Sequence, residues 1–250
     1  MIEVVRIKNR FLSPTAVNTY LSCPRKFYYR YIQKLKTKPS IHLIRGQIVH
    51  QVLHRFHKNH PRIAPATEIA AIRQELLTTF NQLWDRAEGR LKALNMTQEQ
   101  LEFYHDDSEL MLFNFSHWFY KRQMPCPDLT EARLYSQTLR LMGIVDAIHE
   151  TPDKVILVDY KTSKNPVITD DMKRQAAIYA LLYQDKFNVI PDAVWIHFLV
   201  DPADPSPIHV DEHLLAYGKI LVDSVREKTA SENIGDYPCT CGGYCEKDLI

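Results

Sequence analysis

The spacing of hydrophobic residues divides the chain into a helical first part and a mixed second part. Apolar residues recur every three or four positions in the first part, as they do on the buried face of an amphipathic helix. Ser13-Pro14 has the side chains favoured at a helix N-cap and first turn. Pro61 and Pro65 interrupt the pattern. These signals predict helices over residues 14–22, 25–32, 44–59, 68–88 and 97–121.

Beyond Pro127 the period shortens to two, which is typical of half-buried strands. The pattern predicts strands over 133–141, 143–149, 154–161 and 193–200, helices over 170–184 and 211–228, and a cysteine-rich coil from 237. Such an order favours an α/β fold, a small mixed sheet flanked by helices. We expect one domain over 1–250, with the helical block 60–127 as an insertion within it.

The amino-acid composition indicates where in the cell the protein is expected to be. The hydrophobic fraction of 45% and the charged fraction of 24% are those of a globular protein. There is no apolar run of about 20 residues that could span a membrane, and residues 1–6 lack the pattern of a signal peptide. We therefore expect a cytoplasmic, reducing location, where the five cysteines would not form disulfides.

Charge is concentrated at one end of the chain. Residues 1–38 contain nine Lys or Arg, Arg6 and Lys8 among them, and one acid, although the net charge of the whole chain is +1. Aromatic residues at 27–29 and 31 lie among these cations, a mixture that suits nucleic acid. A solvated basic helix whose aromatic residues face the core would look the same. The candidate DNA-contacting residues are Arg25, Lys26, Arg30 and Arg174.

Two acids and a lysine are predicted to meet on neighbouring strands. Asp159 and Lys161 lie on one face at the end of a strand, and Asp146 lies within an adjacent apolar strand. An isolated Asp–Lys pair would be interpreted as a surface ion pair. A second buried carboxylate costs several kcal/mol unless a cation balances it. The set therefore predicts a Mg²⁺ or Mn²⁺ site for phosphodiester hydrolysis, with Lys161 orienting the attacking water or stabilising charge.

Two helices offer further candidates. His50 shares a helix face with His54 and His57, which could indicate zinc, although no fourth ligand lies nearby in the sequence. A hydrogen-bonded structural histidine is the alternative. Gln175 and Tyr179 lie one turn apart, where they could contact a phosphate or base, or could mark the rim of a packed helix.

Together these residues resemble the RecB-like branch of the PD-(D/E)XK nucleases. This branch includes the nuclease domains of RecB and AddB, exonuclease V and the CRISPR-associated RecB-like nucleases. The motifs are Gly46-x-x-x-His50, Gly143-x-x-Asp146, Asp159-Tyr160-Lys161 and Gln175-x-x-x-Tyr179. The resemblance implies that His50, Asp146, Asp159 and the backbone carbonyl of Tyr160 bind the metal. It also implies that Lys161 is catalytic, and that Gln175 and Tyr179 position the DNA or the lysine.

The cysteines extend the resemblance. One near the start and three at the end, Cys23, Cys239, Cys241 and Cys245, resemble the ligands of the branch's iron–sulfur members. The resemblance implies a four-iron, four-sulfur cluster that joins the termini, whereas thiolate chemistry alone equally allows zinc. The C-x-C-x3-C spacing departs from the usual pattern of the branch. Cys126 is expected to be a free thiol or a substitute ligand.

The combined prediction is a metal-dependent deoxyribonuclease, an exonuclease acting on single-stranded or end-exposed DNA, with an iron–sulfur cluster. Its partners would be DNA and proteins of repair, recombination or CRISPR adaptation. One alternative is a scaffold or nucleic-acid-binding protein that keeps the fold and cluster without cutting. Another is an iron–sulfur electron carrier, and RNA remains open as a substrate.

Overall fold

A computed structural model of the protein describes residues 10–60, 68–247 and 249. Arg6, Lys8 and the predicted breaks at Pro61 and Pro65 lie outside the described residues.

Helices dominate the first part of the chain, as predicted. Helix α1 begins after Ser13, whose hydroxyl oxygen accepts a hydrogen bond from the backbone N–H of Ala16 at 3.1 Å. The helices are α1 (Pro14–Ser22), α2 (Pro24–Phe27) with a π-helical turn (Tyr28–Ile32), α3 (Ile41–Asn59), α4 (Ile69–Arg86), α5 (Glu88–Lys92) and α6 (Gln98–Arg122).

The second part forms a five-stranded mixed sheet in the order β1-β2-β3-β4-β5. Strands β3 and β4 are parallel and joined through α7, whereas the other neighbouring strands are antiparallel. The elements are β1 (Leu129–Ser136), β2 (Leu141–Glu150), β3 (Val155–Lys161), α7 (Asp170–Phe187), β4 (Ala193–Phe198), β5 (Ser206–His209), α8 (Glu212–Lys228), a 3-10 turn (Ile234–Asp236) and α9 (Tyr244–Lys247). The predicted α/β class is confirmed.

Hydrophobic cores lie on both faces of this sheet. Helices α1, α7 and α8 cover one face, where Leu157 and Ile196 are fully buried. Helices α3, α4 and α6 cover the other, where Val158 and Tyr160 are buried. The Asn114 side chain of α6 donates hydrogen bonds to the carbonyls of Leu199 and Val200, which bind the helical block to the end of β4. Residues of the predicted insertion therefore form part of the layer that covers the sheet.

Several predicted boundaries were wrong. Helix α3 begins at Ile41, three residues early, because the Ser40 hydroxyl caps it by accepting the Leu43 N–H at 3.3 Å. Strand β1 runs over 129–136 and not 133–141, since Ser136 accepts the Leu139 N–H at 2.9 Å and turns the chain. Strand β5 was missed because it has only four residues and one of them is a proline. Within the described residues, we find no helix that combines the length and apolarity needed to cross a membrane.

Candidate active site

The end of β3 carries the predicted acid and lysine on one face. Asp159 is 3% exposed, and the Lys161 ammonium lies 2.6 Å from its Oδ2 atom. Lys161 donates a hydrogen bond to Gln175 Oε1 at 2.8 Å. Gln175 in turn donates to Asp159 Oδ1 at 3.1 Å and to the Tyr179 hydroxyl at 2.8 Å. Helix α7 thus fixes the lysine and the acid relative to each other.

The charge of Asp159 is only partly offset by its surroundings. Burial raises the pKa of its carboxyl group above the ordinary value, although the Lys161 ammonium opposes the shift. Asp159 Oδ2 is paired with the Lys161 ammonium, and Asp159 Oδ1 accepts from Gln175. A buried carboxylate that has the Lys161 ammonium as its cationic partner is also a suitable ligand for a hard cation.

Asp146 lies where β2 diverges from β3. The regular pairing of the two strands stops at Ala147 and Val158. Beyond that point Asp146 Oδ2 accepts the backbone N–H of Tyr160 at 2.8 Å, and its Oδ1 lies 2.9 Å from His50 Nδ1. Gly143 lies three residues before Asp146 in the same strand. A Cβ atom at this position would lie 3.1 Å from the Tyr179 ring and 3.0 Å from Leu182, closer than ordinary contacts allow. The glycine allows α7 to approach the strand.

His50 reaches the same place from α3. Burial lowers the pKa of its imidazole, but the Asp146 carboxylate outweighs that effect and raises the pKa to about 9. Imidazole and carboxylate therefore form an ion pair at neutral pH that a divalent cation would replace. His50, Asp146, Asp159, Lys161, Gln175 and Tyr179 all line one cavity of about 690 Å³. All four sequence motifs converge on this cavity.

Sequence reasoning missed one acid of this cluster, Glu131 of β1. Ligand atoms of Glu131, His50 and Asp146 lie within 4.8 Å of one another. Glu131 has a left-handed backbone, φ 48°, at the position opposite Asp146 where the β1–β2 pairing is interrupted. Burial raises the pKa of its carboxyl group, and the charge of Asp146 raises it further. A prediction of β1 that began at 129 would have included Glu131 in the strand, but only the β1–β2 register places it opposite Asp146.

The other two histidines of α3 lie elsewhere. His54 lines a neighbouring cavity of about 890 Å³ together with His50. His57 is buried on the opposite face of β3, where its Nε2 atom lies 3.0 Å from the Tyr160 hydroxyl. Among the described residues, no metal-binding cluster combines the three imidazoles, which leaves the zinc interpretation of this helix without support.

Of the four predicted DNA-contacting cations, two line a cavity next to the active site and two are held by hydrogen bonds within the protein. Lys26 and Arg30 line a cavity of about 440 Å³ that also contains Lys161 and Gln175. Arg25 donates to the Tyr237 carbonyl at 2.7 Å, and Arg174 is held by Asn18 and Asp171. The neighbouring aromatic residues Phe27 and Tyr28 are buried in the core, as the alternative interpretation of this segment expected.

Four cysteines form a second candidate metal centre. Sulfur atoms of Cys23, Cys239, Cys241 and Cys245 lie within 4.8 Å of one another. Gly242 and Gly243 adopt positive φ angles of 63° and 83°, which fold the short C-terminal segment back on itself. The backbone N–H of Gly243 donates to Cys239 Sγ at 3.3 Å, and that of Cys245 donates to Cys241 Sγ at 3.2 Å. Such N–H···S contacts stabilise thiolates.

The pKa shifts favour the thiolate at two of the four cysteines, whereas burial and a hydrogen bond with Cys239 raise the pKa of Cys245. Burial raises the pKa of Cys23, but hydrogen bonds from the backbone of Thr240 and Lys26 bring it down to about 6. A hydrogen bond from the Gly243 backbone lowers the pKa of Cys239. Cys126 lies apart in the core of the helical block, and burial raises its pKa to about 11. The structure supports Cys126 as a free thiol.

Comparison with known proteins identifies the class. Residues 11–240 match the family model of the PD-(D/E)XK nuclease superfamily, and the chain belongs to this superfamily. A crystal structure titled "Putative exonuclease" from Eubacterium rectale superposes with a TM-score of 0.62 at 12% identity. The match covers 97% of this chain and 89% of that one. No curated protein matches the sequence. These findings are consistent with the RecB-like branch that the motifs resemble.

Proposed function

We propose that the protein is a metal-dependent deoxyribonuclease that removes nucleotides from single-stranded or end-exposed DNA. The observation that supports this most directly is the convergence of His50, Asp146, Asp159 and Lys161 in one cavity. Membership of a nuclease superfamily supports the reaction class, and the choice of DNA rests on the resemblance to the RecB-like branch.

The residues fit a Mg²⁺ or Mn²⁺ ion. Carboxylate oxygens are the ligands these cations prefer, and Asp146 and the buried Asp159 line one cavity. Asp146, Asp159, His50 and the Tyr160 carbonyl would hold the ion, with Glu131 beside them. A bound ion would supply Lewis-acid stabilisation of the charge on the scissile phosphate.

Lys161 and α7 supply the remaining chemistry. The Lys161 ammonium, held between Asp159 and Gln175, is placed to orient water for attack on phosphorus and to donate to a phosphate oxygen. Gln175 is a positioning residue, because it holds both Lys161 and Asp159 and is itself linked to Tyr179. Lys26 and Arg30 would contact the DNA backbone in the adjoining cavity.

The cysteine centre would bind a four-iron, four-sulfur cluster, with zinc as the alternative. Four sulfur ligands satisfy either group. The Thr240 hydroxyl donates to the Ser22 carbonyl at 3.0 Å beside the cysteines, so the cluster would reinforce an existing junction between the two ends. Residues 1–250 would then act as one nuclease domain with 60–127 inserted. Its partners would be found among repair, recombination or CRISPR-adaptation proteins.

A digestion series tests the function. End-labelled single-stranded DNA, double-stranded DNA and RNA of one sequence are incubated with Mg²⁺ or Mn²⁺, using wild-type protein and Asp159→Ala. We expect shortening of DNA with free ends by the wild type and none by the variant. Equal digestion by both would indicate a contaminant and contradict the assignment. Intact DNA under every metal condition, with protein that binds it, would favour the non-cleaving alternative.

A further inference from the structure

An open patch lies next to the candidate active site on the hairpin of β1 and β2. The strand register pairs Arg133 with Ile144 and Tyr135 with Met142. We call these four residues the hairpin face. Glu131 lies two residues before Arg133 on β1 and is close to Asp146. The hairpin face is therefore the direct continuation of the surface that carries two acids of the site.

Large apolar side chains on this face are exposed. Tyr135 is 48% exposed, Met142 46% and Ile144 43%. Leu134, between Arg133 and Tyr135, is buried, and so are Leu141 and Val145 on either side of the Met142–Ile144 stretch. The side chains of the hairpin face therefore project away from the sheet core, into the open.

A cleft separates the start of this face from helix α3. Its volume is about 890 Å³, and Arg133 and Ile144 line one wall while Leu43 and Gln47 line the other. Leu43 is itself 53% exposed. Asp146 and Lys161 also line the cleft, so it opens directly into the active site. A chain lying in the cleft would touch apolar side chains and the reacting groups at once.

The Tyr135 ring is held in place from behind. Phe11 stacks on it, with ring centroids 4.2 Å apart and an angle of 20° between the planes. A supported aromatic ring that is still half exposed is suited to stack on a flat group, at little cost in side-chain entropy. Arg133, one rung nearer the site, adds a cation that attracts a phosphate or stacks on a base.

We infer that the hairpin face binds the bases of an unpaired DNA strand whose phosphate is held at the active site. This rests on the proposed function. Exposed aromatic and apolar side chains beside cations match unstacked bases, because every base has a π face, whereas a duplex keeps its bases stacked and offers phosphates. Tyr135 lies four positions beyond Glu131 along the strand, roughly 13 Å away. The face therefore contacts the first few nucleotides beside the reacting phosphate.

Binding without cleavage tests this surface. Fluorescence anisotropy with a labelled oligothymidylate in Ca²⁺ gives the affinity of the wild type, Tyr135→Ala, Tyr135→Phe and Ile144→Ser. We expect Tyr135→Ala to bind roughly tenfold more weakly and Tyr135→Phe to bind like the wild type, since stacking needs the ring alone. Tyr217→Ala is the matched control, because Tyr217 is 45% exposed on α8, and should leave the affinity unchanged.

A fluorescent base sharpens the result. An oligonucleotide carrying 2-aminopurine near its end should be quenched on binding to the wild type and Tyr135→Phe, and less so on binding to Tyr135→Ala. A blunt duplex should compete more weakly than the same duplex with an overhang. Melting temperatures of all variants identify any loss of fold, and Ile144→Ser, at an exposed position, tests the face independently of the Phe11–Tyr135 stack.

The outcomes separate the two proposals. Unchanged affinity and quenching in Tyr135→Ala and Ile144→Ser, or equal competition by the blunt duplex, would overturn the hairpin-face proposal and leave the nuclease standing. Ring-dependent binding by a wild-type protein that cuts no DNA with Mg²⁺ or Mn²⁺ would support the face and overturn the proposed function.

Discussion

The two candidate metal centres differ in how the fold builds them. The carboxylate centre gathers side chains from α3, α7 and three strands. Gln175 and Lys161 hold Asp159, while His50 and the backbone N–H of Tyr160 hold Asp146. The cysteine centre joins residue 23 to residues 239–245, and backbone N–H groups point at two of its sulfurs. The first opens into cavities on several sides. In the cysteine centre, by contrast, Cys23 and Cys245 are buried.

This difference indicates separate roles. An open centre with a neighbouring ammonium can receive a phosphate. A centre that connects the two ends of a chain can restrict the unfolded state. Substitutions in the two centres should therefore affect different measurements, cleavage in one case and stability in the other.

The largest effect is expected at the cysteine centre. We expect the purified protein to be brown and Cys23→Ser to lose the colour, the bound iron and about 5 kcal/mol of unfolding free energy, because the link closes a very long loop. Metal analysis and denaturant unfolding measure both. Cys126→Ala is the control that should keep its iron. Full retention of metal and stability by Cys23→Ser would remove the structural role from this centre.

The carboxylate centre should respond in cleavage alone. Asp146→Ala, Asp159→Ala and Lys161→Ala are each expected to reduce the cleavage rate by roughly a thousandfold or more while the melting temperature stays near that of the wild type. The rate on end-labelled DNA and the unfolding curve are measured on the same preparation. Activity retained by any two of these variants would show that the site has been assigned wrongly.

Acid should destabilise the sheet beneath the carboxylate centre. Burial lowers the pKa of His197 from 6.5 to about 4, and that of His57 to about 3. The unfolded chain takes up a proton below about pH 6.5 and the folded one does not. The stabilising contribution is thus complete above pH 6.5 and is lost as the pH falls toward 4.

For His197 alone the loss is about 3 kcal/mol. Denaturant unfolding between pH 7 and pH 4.5 should show a shallower pH dependence in His197→Phe than in the wild type. His213→Phe, at an exposed position, should keep the wild-type slope. The same slope in all three proteins would mean that His197 is not the group responsible.

The smallest expected effect concerns Glu131. Because its carboxylate lies with His50 and Asp146, Glu131→Gln should weaken binding of Mn²⁺ roughly tenfold without changing the fold. Isothermal titration calorimetry measures the affinity directly, and Glu99→Gln on the exposed side of α6 serves as the control. Identical affinities would restrict the centre to the residues found from the sequence motifs.

Most elements were predictable because their signals are local. Capping by Ser13, four-residue spacing along α3 and the apolar run of β3 each need only neighbouring residues. Strand β5 and the true start of β1 were not predictable in this way. Each is stabilised by antiparallel pairing with the strand beside it in the chain, and the residues at these positions carry little apolar signal of their own.

The sequence by itself determined which residue types were available: the two acids and lysine on adjacent strands, the histidine on its helix, and cysteines at both ends. Tertiary structure alone decided that Glu131 joins the acids, that His57 turns to the opposite face, and that Tyr135 and Ile144 form an open surface beside the cleft. The physical reason is that local spacing fixes the face on which a side chain lies. Strand register and helix packing, which depend on the whole chain, fix what that face meets.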